Sequence, residues 1–412
     1  MANLAVLGGE SLLKEPVKSL AWPIRTEETA EKLKQLYMSG EWSFNSPMEQ
    51  RFEQEFAASH NAKYGIFMAN GTVTLECALQ ALGVKAGDEV IIPALTWMAT
   101  AMVVHYLSAI PVIVDVEPTT LCMDPAKMEA AITPKTKAII PVHIYGSTAD
   151  LGKILSIAEK HGIPVLEDCA QMQGGSWNGK GVGSWGAVGS FSFQQSKVTA
   201  SGEGGICITN DSELAEKLFL IKHIGYVRGA KQGQGAKTPQ GLVCHNYRAT
   251  AFQALLLSEQ LKSLPERIQR YGESARIMTE AIAGVPGVRV QASGRLADPQ
   301  GYYSFHFIFD GREFDGIDRW TINEACLAEG AGIGNGTHGS VYRHNLFNLS
   351  PDQYRIFEGS CPVSDKISCE RALGIEHQRM YYRETAEQIG AVVRKVASNV
   401  DELRQYAESK NK

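Results

Sequence analysis

The sequence predicts an α/β protein, with a mostly parallel sheet between helices in a large domain and a smaller C-terminal α+β domain. Three observations carry this. Between about residues 64 and 162, short apolar runs alternate with helical stretches across brief Gly, Pro or Asp connections, the pattern of a parallel sheet covered on both faces. After about Ala283 the pattern changes to short alternating strands mixed with helices, as in VRVQA and YYSFHFIFD. At 412 residues the chain also exceeds one ordinary core. The expected division is an arm over residues 1–25, a large domain over 26–265 and a small domain over 266–412.

Taken in order, residues from Ala2 to about Pro23 read as the arm, and Glu27 to Met38 as a helix. A second helix follows, with Ser46 as its N-cap, Pro47 at its first position, and Met48, Phe52, Phe56 and Ala57 on one stripe. Trp42, Phe44 and Asn45 precede it as packing residues or pocket lining. Ile66-Phe67-Met68 is a buried strand, and Asn70-Gly71-Thr72 opens a helix that buries Leu75, Ala78, Leu79 and Leu82. A helix N-terminus presents unpaired N–H groups and a partial positive charge, a seat for a phosphate. Gly71 permits close backbone approach and Thr72 offers an N–H and a hydroxyl, although Asn-Gly-Thr is also ordinary capping chemistry. Strand Glu89–Ile92, helix Trp97–Leu107, strand Pro111–Val116, helix DPAKMEAAI, strand TKAIIPVHIYG and helix DLGKILSIAEKHG complete the alternation.

The next stretch carries the chemistry. IPVLEDCAQ is an apolar strand whose carboxyl end bears Glu167-Asp168, and ligands of open α/β sheets sit just beyond such ends. One lysine, Lys197, follows among Ser, Gln, Thr and Gly, with no other cation close by. Pyridoxal phosphate (PLP) needs a lysine amine for a Schiff base and an anion that keeps its pyridine nitrogen protonated. Lys197 and Asp168 can supply both, and Gln171 can reach the ring's phenolic oxygen. The same residues would also serve as a strand-end cap and a solvated loop lysine. The glycine-rich GKGVGSWGAVG opens no strand-to-helix step, so a nicotinamide site has little support. GEGGICITND reads as another strand and DSELAEKLFLIKHIG as another helix. Gly229–Leu242 reads as a mobile surface loop before the apolar helix in HNYRATAFQALLLSEQL. Further helices are expected around Pro265–Ala283, Ser368–Leu373 and Tyr381–Ala407.

Composition narrows the class. Hydrophobic residues at 44% and charged residues at 21% are those of a globular enzyme, and a net charge of −5 offers nothing to nucleic acid or an anionic membrane. Neither a membrane span nor a basic leader is evident. Eight scattered cysteines without a CxxC pair suit buried thiols in a reducing, cytoplasmic setting; Cys169 then reads as a small hydrophobe behind Asp168. The ten histidines lack HxxxH or HExxH spacing, so no metal is expected.

Seven segments in order then carry a resemblance: NGT (Asn70–Thr72), PALTWMATA (Pro93–Ala101), VHIYG (Val142–Gly146), LEDCAQ (Leu166–Gln171), SFSFQQSK (Ser190–Lys197), GEGG (Gly202–Gly205) and NYR (Asn246–Arg248). Together they resemble the DegT/DnrJ/EryC1/StrS family of PLP-dependent sugar aminotransferases, over nearly the whole chain. The resemblance implies PLP fold type I, with Lys197 and Asp168 as catalytic residues and Ser192, five positions before the lysine, on the phosphate. It also implies an aromatic, Trp97, stacked on the cofactor ring. Asn246 would reach the phosphate in the partner's site, making the enzyme a homodimer with shared active sites. LAVLGGE, LAWP and QQSK resemble the cyclitol branch, which aminates keto-inositols such as scyllo-inosose from glutamine or glutamate in aminocyclitol antibiotic biosynthesis. In that branch the amino-terminal segment helps to close the active site. The family's usual tyrosine-x-proline stretch is replaced by THGSVYRHNLF (Thr337–Phe347), which leaves Tyr342, Arg343 and His377 as substrate candidates. Rival readings are amination of a nucleotide-linked keto-sugar, aminodehydration as in 3-amino-5-hydroxybenzoate synthases, and a PLP-less binding or sensor module. A dehydratase with histidine in place of the lysine is disfavoured by Lys197.

Overall fold

The computed structural model describes residues 3–231, 239, 241–294 and 299–410. Much of the expected Gly229–Leu242 loop therefore lies outside the described residues. Seven strands of the large unit are β1 (Tyr64–Met68), β2 (Glu89–Pro93), β3 (Ile110–Val114), β4 (Thr136–Ile139), β5 (Leu166–Asp168) and the small hairpin β6 (Ser176–Trp177) and β7 (Lys180–Gly181). Two more, β8 (Val188–Ser192) and β9 (Gly205–Thr209), follow. Strands β1-β9-β8-β5 lie side by side, as do β4-β2-β3. Parallel bridges from Ile139 to Val165 and from Val142 to Asp168 join the two sets into one surface. Among the described strands of this surface, β9 alone runs against its neighbours, β1 and β8. The apolar runs predict strands there but not this direction, which depends on a long return loop.

Side chains alternate across the sheet, and each strand feeds two cores. Ile66 and Met68 join Leu75, Ala78 and Leu79 on one face. Phe67 joins Phe52, Phe56, Phe191 and Phe193 on the other. The helix Pro47–Ser59 supplies two of those rings; its N-terminus is capped by Ser46, whose hydroxyl accepts from Met48 N–H at 3.3 Å. A layer of helices on each face explains why these strands read as continuous apolar runs.

In the smaller unit, β10 (Val288–Val290), β11 (Ser304–Phe309), β12 (Asn335–Gly336) and, later, β14 (Ala372–Glu376) form an antiparallel sheet in the order β10-β11-β14-β12. Helices Leu264–Ala281 and Arg383–Ser398 pack there. One expectation is corrected. Ser364–Arg371 is a wide helical turn and Ala372 already begins β14, so the helix expected over Ser368–Leu373 ends at Arg371. The interposed β13 (Arg355–Ile356) pairs in parallel with β3, and Val341 and Cys361 are buried in the large unit's core. The chain after residue 266 thus crosses back to the large sheet before finishing the small one.

The arm is strapped to the smaller unit. Ala5 N–H and Leu12 N–H donate to the two oxygens of Glu329, each at 2.9 Å, and Leu4 is fully buried. Farther on, Trp22 Nε1 donates to Gln195 O at 2.7 Å, which brings the arm against the loop bearing Lys197. Among the described residues no helix is long and apolar enough to cross a membrane.

Candidate active site

A cavity of about 730 Å³ opens at the carboxyl ends of β5 and β8, and Asp168, Gln171, Ser192 and Lys197 all line it. A larger groove of about 1000 Å³ runs along Leu261, Leu264 and Ile268, but it contains none of the residues singled out from the sequence. Size does not identify the site here; the convergence of an acid and an amine does.

Strand β5 presents successive acids to opposite faces, which gives them different work. Glu167 is fully buried on the far face and accepts from the N–H groups of Gly183, Trp185 and Gly186 at 2.7, 2.8 and 2.7 Å. His143 Nδ1 accepts from Ala149 N–H at 3.1 Å, so its Nε2 carries the proton that reaches Glu167 at 3.1 Å. Burial pushes the Glu167 carboxyl up, but His143 and the glycine N–H groups outweigh it and hold the group below its ordinary value. Glu167 therefore anchors the glycine-rich turn. His143, Glu167 and Cys169 lie close enough together for a metal, but the bonds just described already occupy the histidine and the carboxylate.

Asp168 faces the cavity. Its oxygens accept from Ala170 N–H at 3.1 Å and from the Thr100 hydroxyl at 2.9 Å. Burial pushes its carboxyl up, against the pull of Ala170 N–H, the Thr100 hydroxyl and the Lys197 charge. A buried acid left under-compensated in this way suits a cationic N–H partner. Lys197 lies on the turn after β8, its N–H donating to Gln194 O at 2.8 Å and its Nζ standing 4.5 Å from the centre of the Tyr303 ring. Burial draws its amine down to about 8, opposed by the Asp168 charge.

The other end of the cavity is shaped by backbone approach. A Cβ on Gly71 would stand 2.6 Å from Ser192 Cβ, and one on Gly205 would stand 2.5 Å from Asn70 C. The helix Gly71–Ala81 therefore begins directly against β8 and β9. Asn70 Oδ1 accepts from Thr72 and Val73 N–H at 3.1 and 3.0 Å, so the Thr72 N–H is already engaged. The Gly71 N–H and the Thr72 and Ser192 hydroxyls remain as donors for a phosphate. An acid, an amine and a phosphate seat in one cavity fit PLP.

Trp97 lines the cavity just before helix Met98–Tyr106, its ring 5.4 Å from that of His338. Gln171 also lines it. Asn246 is exposed, bridges to His223 and lies outside this chain's own cavity. Three candidates are placed elsewhere. The Tyr342 hydroxyl donates to Asp365 at 2.9 Å, and Arg343 pairs with the same acid at 2.6 Å. His377 is buried, with Nε2 3.2 Å from Ser196 O and Nδ1 3.3 Å from the Tyr271 hydroxyl. It props the lysine loop from behind. Sequence reading missed Thr100, Tyr303 and His338, all of which line the cavity. Thr100 had a signal in its place one turn after Thr96, whose hydroxyl it meets at 2.7 Å. His338 lay in the stretch marked as departing from the usual pattern, and Tyr303 carried no signal.

The model of the DegT/DnrJ/EryC1/StrS aminotransferase family matches residues 23–394. A putative L-glutamine:3-amino-2,3-dideoxy-scyllo-inosose aminotransferase of Streptoalloteichus tenebrarius is 34% identical, covering 98% of this chain and 100% of its own length. The L-glutamine:2-deoxy-scyllo-inosose aminotransferase of Micromonospora echinospora is 36% identical over 98% of this chain and 100% of its own. Among solved structures, a 3-amino-5-hydroxybenzoic acid synthase superposes with a TM-score of 0.83 at 30% identity, covering 94% of this chain and 100% of that one. The chain belongs to the DegT/DnrJ/EryC1/StrS family and is a PLP-dependent aminotransferase of fold type I.

Proposed function

We propose that this member of the family moves an amino group from glutamine to the ketone of a scyllo-inosose-type cyclitol. The observation that carries the reading is end-to-end similarity to two glutamine:scyllo-inosose aminotransferases. The cavity agrees: its described lining is rich in hydroxyl, amide and aromatic groups and includes no arginine, which suits a neutral polyol better than a dicarboxylate. Bound PLP supplies the electron sink and carries the nitrogen between donor and acceptor. Asp168 would hold the ring N–H, and Gly71, Thr72 and Ser192 would hold the phosphate, joined by Asn246 from a second subunit. Trp97 would lie against the cofactor ring, and Gln171 would bond its phenolic oxygen. The Lys197 amine would hold the cofactor covalently and, once freed, would serve as the base that takes the proton from the donor's Cα and as the acid that returns one to the acceptor carbon. An amine drawn to about 8 is suited to both transfers near neutral pH. We place the homodimer in the cytoplasm, a setting consistent with eight cysteines that form no disulfide.

The test is transfer of nitrogen from glutamine to a free keto-inositol, to a nucleotide-linked keto-hexose, and to an aminodehydration substrate. Amination of the keto-inositol alone supports the reading. Preference for the nucleotide-linked sugar refutes it, and aminodehydration would favour the 30% identical synthase as the better guide. Borohydride should bleach the yellow holoenzyme and leave its label on Lys197.

A further inference from the structure

Three residues close a ring of hydrogen bonds at the cavity wall. Tyr145 N–H donates to Gln171 Oε1 at 3.0 Å. Gln171 Nε2 lies 2.9 Å from His338 Nε2. His338 N–H donates to the Tyr145 hydroxyl oxygen at 2.8 Å. Because the Tyr145 contact fixes which end of the amide is oxygen, the nitrogen must donate and His338 Nε2 must accept. Burial, with the charges of Lys197 and His344 nearby, draws the His338 imidazole down to about 4, so the neutral ring carries its proton on Nδ1.

The ring of bonds is rigidly backed. Tyr145 holds a φ of 60°, a left-handed conformation that a buried aromatic adopts only when its surroundings impose it. Its side chain lies 4.1 Å from the ring of His306 on β11 and 5.6 Å from that of His338. Gln171 and Tyr145 belong to the large unit, whereas His338 follows β12 of the smaller one. An amide nitrogen has two hydrogens about 120° apart. With one committed to His338, the direction of the other is set.

We infer that His338 is a positioning residue: by accepting one N–H of Gln171 it aims the other at the ring oxygen of bound PLP, so that the smaller unit's placement reaches the cofactor's acid–base state. The inference rests on the reading of Gln171 as a cofactor contact. Its test is the pH midpoint of the holoenzyme's visible absorption band in Gln171→Ala, His338→Leu and His338→Gln. Loss of one hydrogen bond to the ring oxygen moves that midpoint by about half a pH unit or more. Gln171→Ala and His338→Leu should both shift it, and His338→Gln, which retains an acceptor near the position of Nε2, should restore most of the wild-type value. A shift in Gln171→Ala with none in His338→Leu overturns the inference alone. No shift in Gln171→Ala overturns the Gln171 contact and the inference with it. Should His338→Leu yield no folded holoenzyme, His338→Asn, whose shorter side chain falls away from Gln171, takes its place; equal midpoints for Asn and Gln refute the role.

Discussion

Replacing Gly71 by alanine tests the phosphate seat at its tightest point. The new methyl would meet Ser192 Cβ at 2.6 Å and Ser192 Cα at 3.2 Å, both carried by the backbone of β8 and unable to rotate away. To reach ordinary contact the helix start must retreat from the strand by about 0.8 Å, and overpacking of this kind costs about 1–3 kcal/mol. The retreat also separates the Gly71 N–H from the Ser192 hydroxyl, so a phosphate can keep only one of them at full strength. A lost hydrogen bond to a charged group costs roughly 1.5–3 kcal/mol, or about 10- to 150-fold in PLP affinity. Fluorescence titration of the apoprotein with PLP reads the affinity, and thermal unfolding of the apoprotein reads the strain. Ser192→Gly in the same background removes the opposing Cβ and should recover stability without recovering affinity, since the hydroxyl is gone as well. An affinity within twofold of wild type together with an unchanged melting temperature would refute both the close approach and the phosphate assignment.

Further perturbations probe the remaining groups. Lys197→Ala should lose at least about 10²-fold in turnover while the apoprotein stays folded by circular dichroism, and Asp168→Asn should retain PLP weakly and lose most activity; full activity in either denies the assigned role. Because burial lowers the folded Lys197 amine from its ordinary 10.5 to about 8, the unfolded chain binds the proton that the folded one releases between those values. Stability of the apoprotein relative to Lys197→Met should therefore rise with pH across that window in urea titrations, and a flat difference contradicts the burial. Glu167→Gln leaves an amide facing donors that now bond a carboxylate, and should cost about 2–5 kcal/mol in urea unfolding. The carboxylate's own contribution is present above the unfolded value of 4.5 and is lost as pH falls through the lower folded one. For the shared site, mixing inactive Lys197→Ala with Asn246→Ala subunits should regain about a quarter of wild-type activity through heterodimers with one intact site, whereas no recovery excludes sharing.

The sequence alone determined what local chemistry can determine. The alternation of apolar runs with helical stretches defined the sheet-and-helix order, because burial on both faces demands uninterrupted apolar strands. Capping signals at Ser46 and Asn70 placed two helix starts. The lone Lys197 and the strand-end Asp168 stood out because each is a charge in a neighbourhood that offers it little else. Only the tertiary structure decided the rest. That β9 opposes its neighbours, that β13 returns to the large sheet, and that Tyr342 and Arg343 spend themselves on Asp365 are outcomes of long-range pairing, to which no local pattern is sensitive. Asp168 was legible as the acid of the site, but the task of its neighbour Glu167, which anchors the glycine-rich turn, was settled by the face its side chain takes in the assembled sheet. His338 belongs to the cavity because the smaller unit folds over the large one, and it lies 167 positions along the chain from the glutamine it meets.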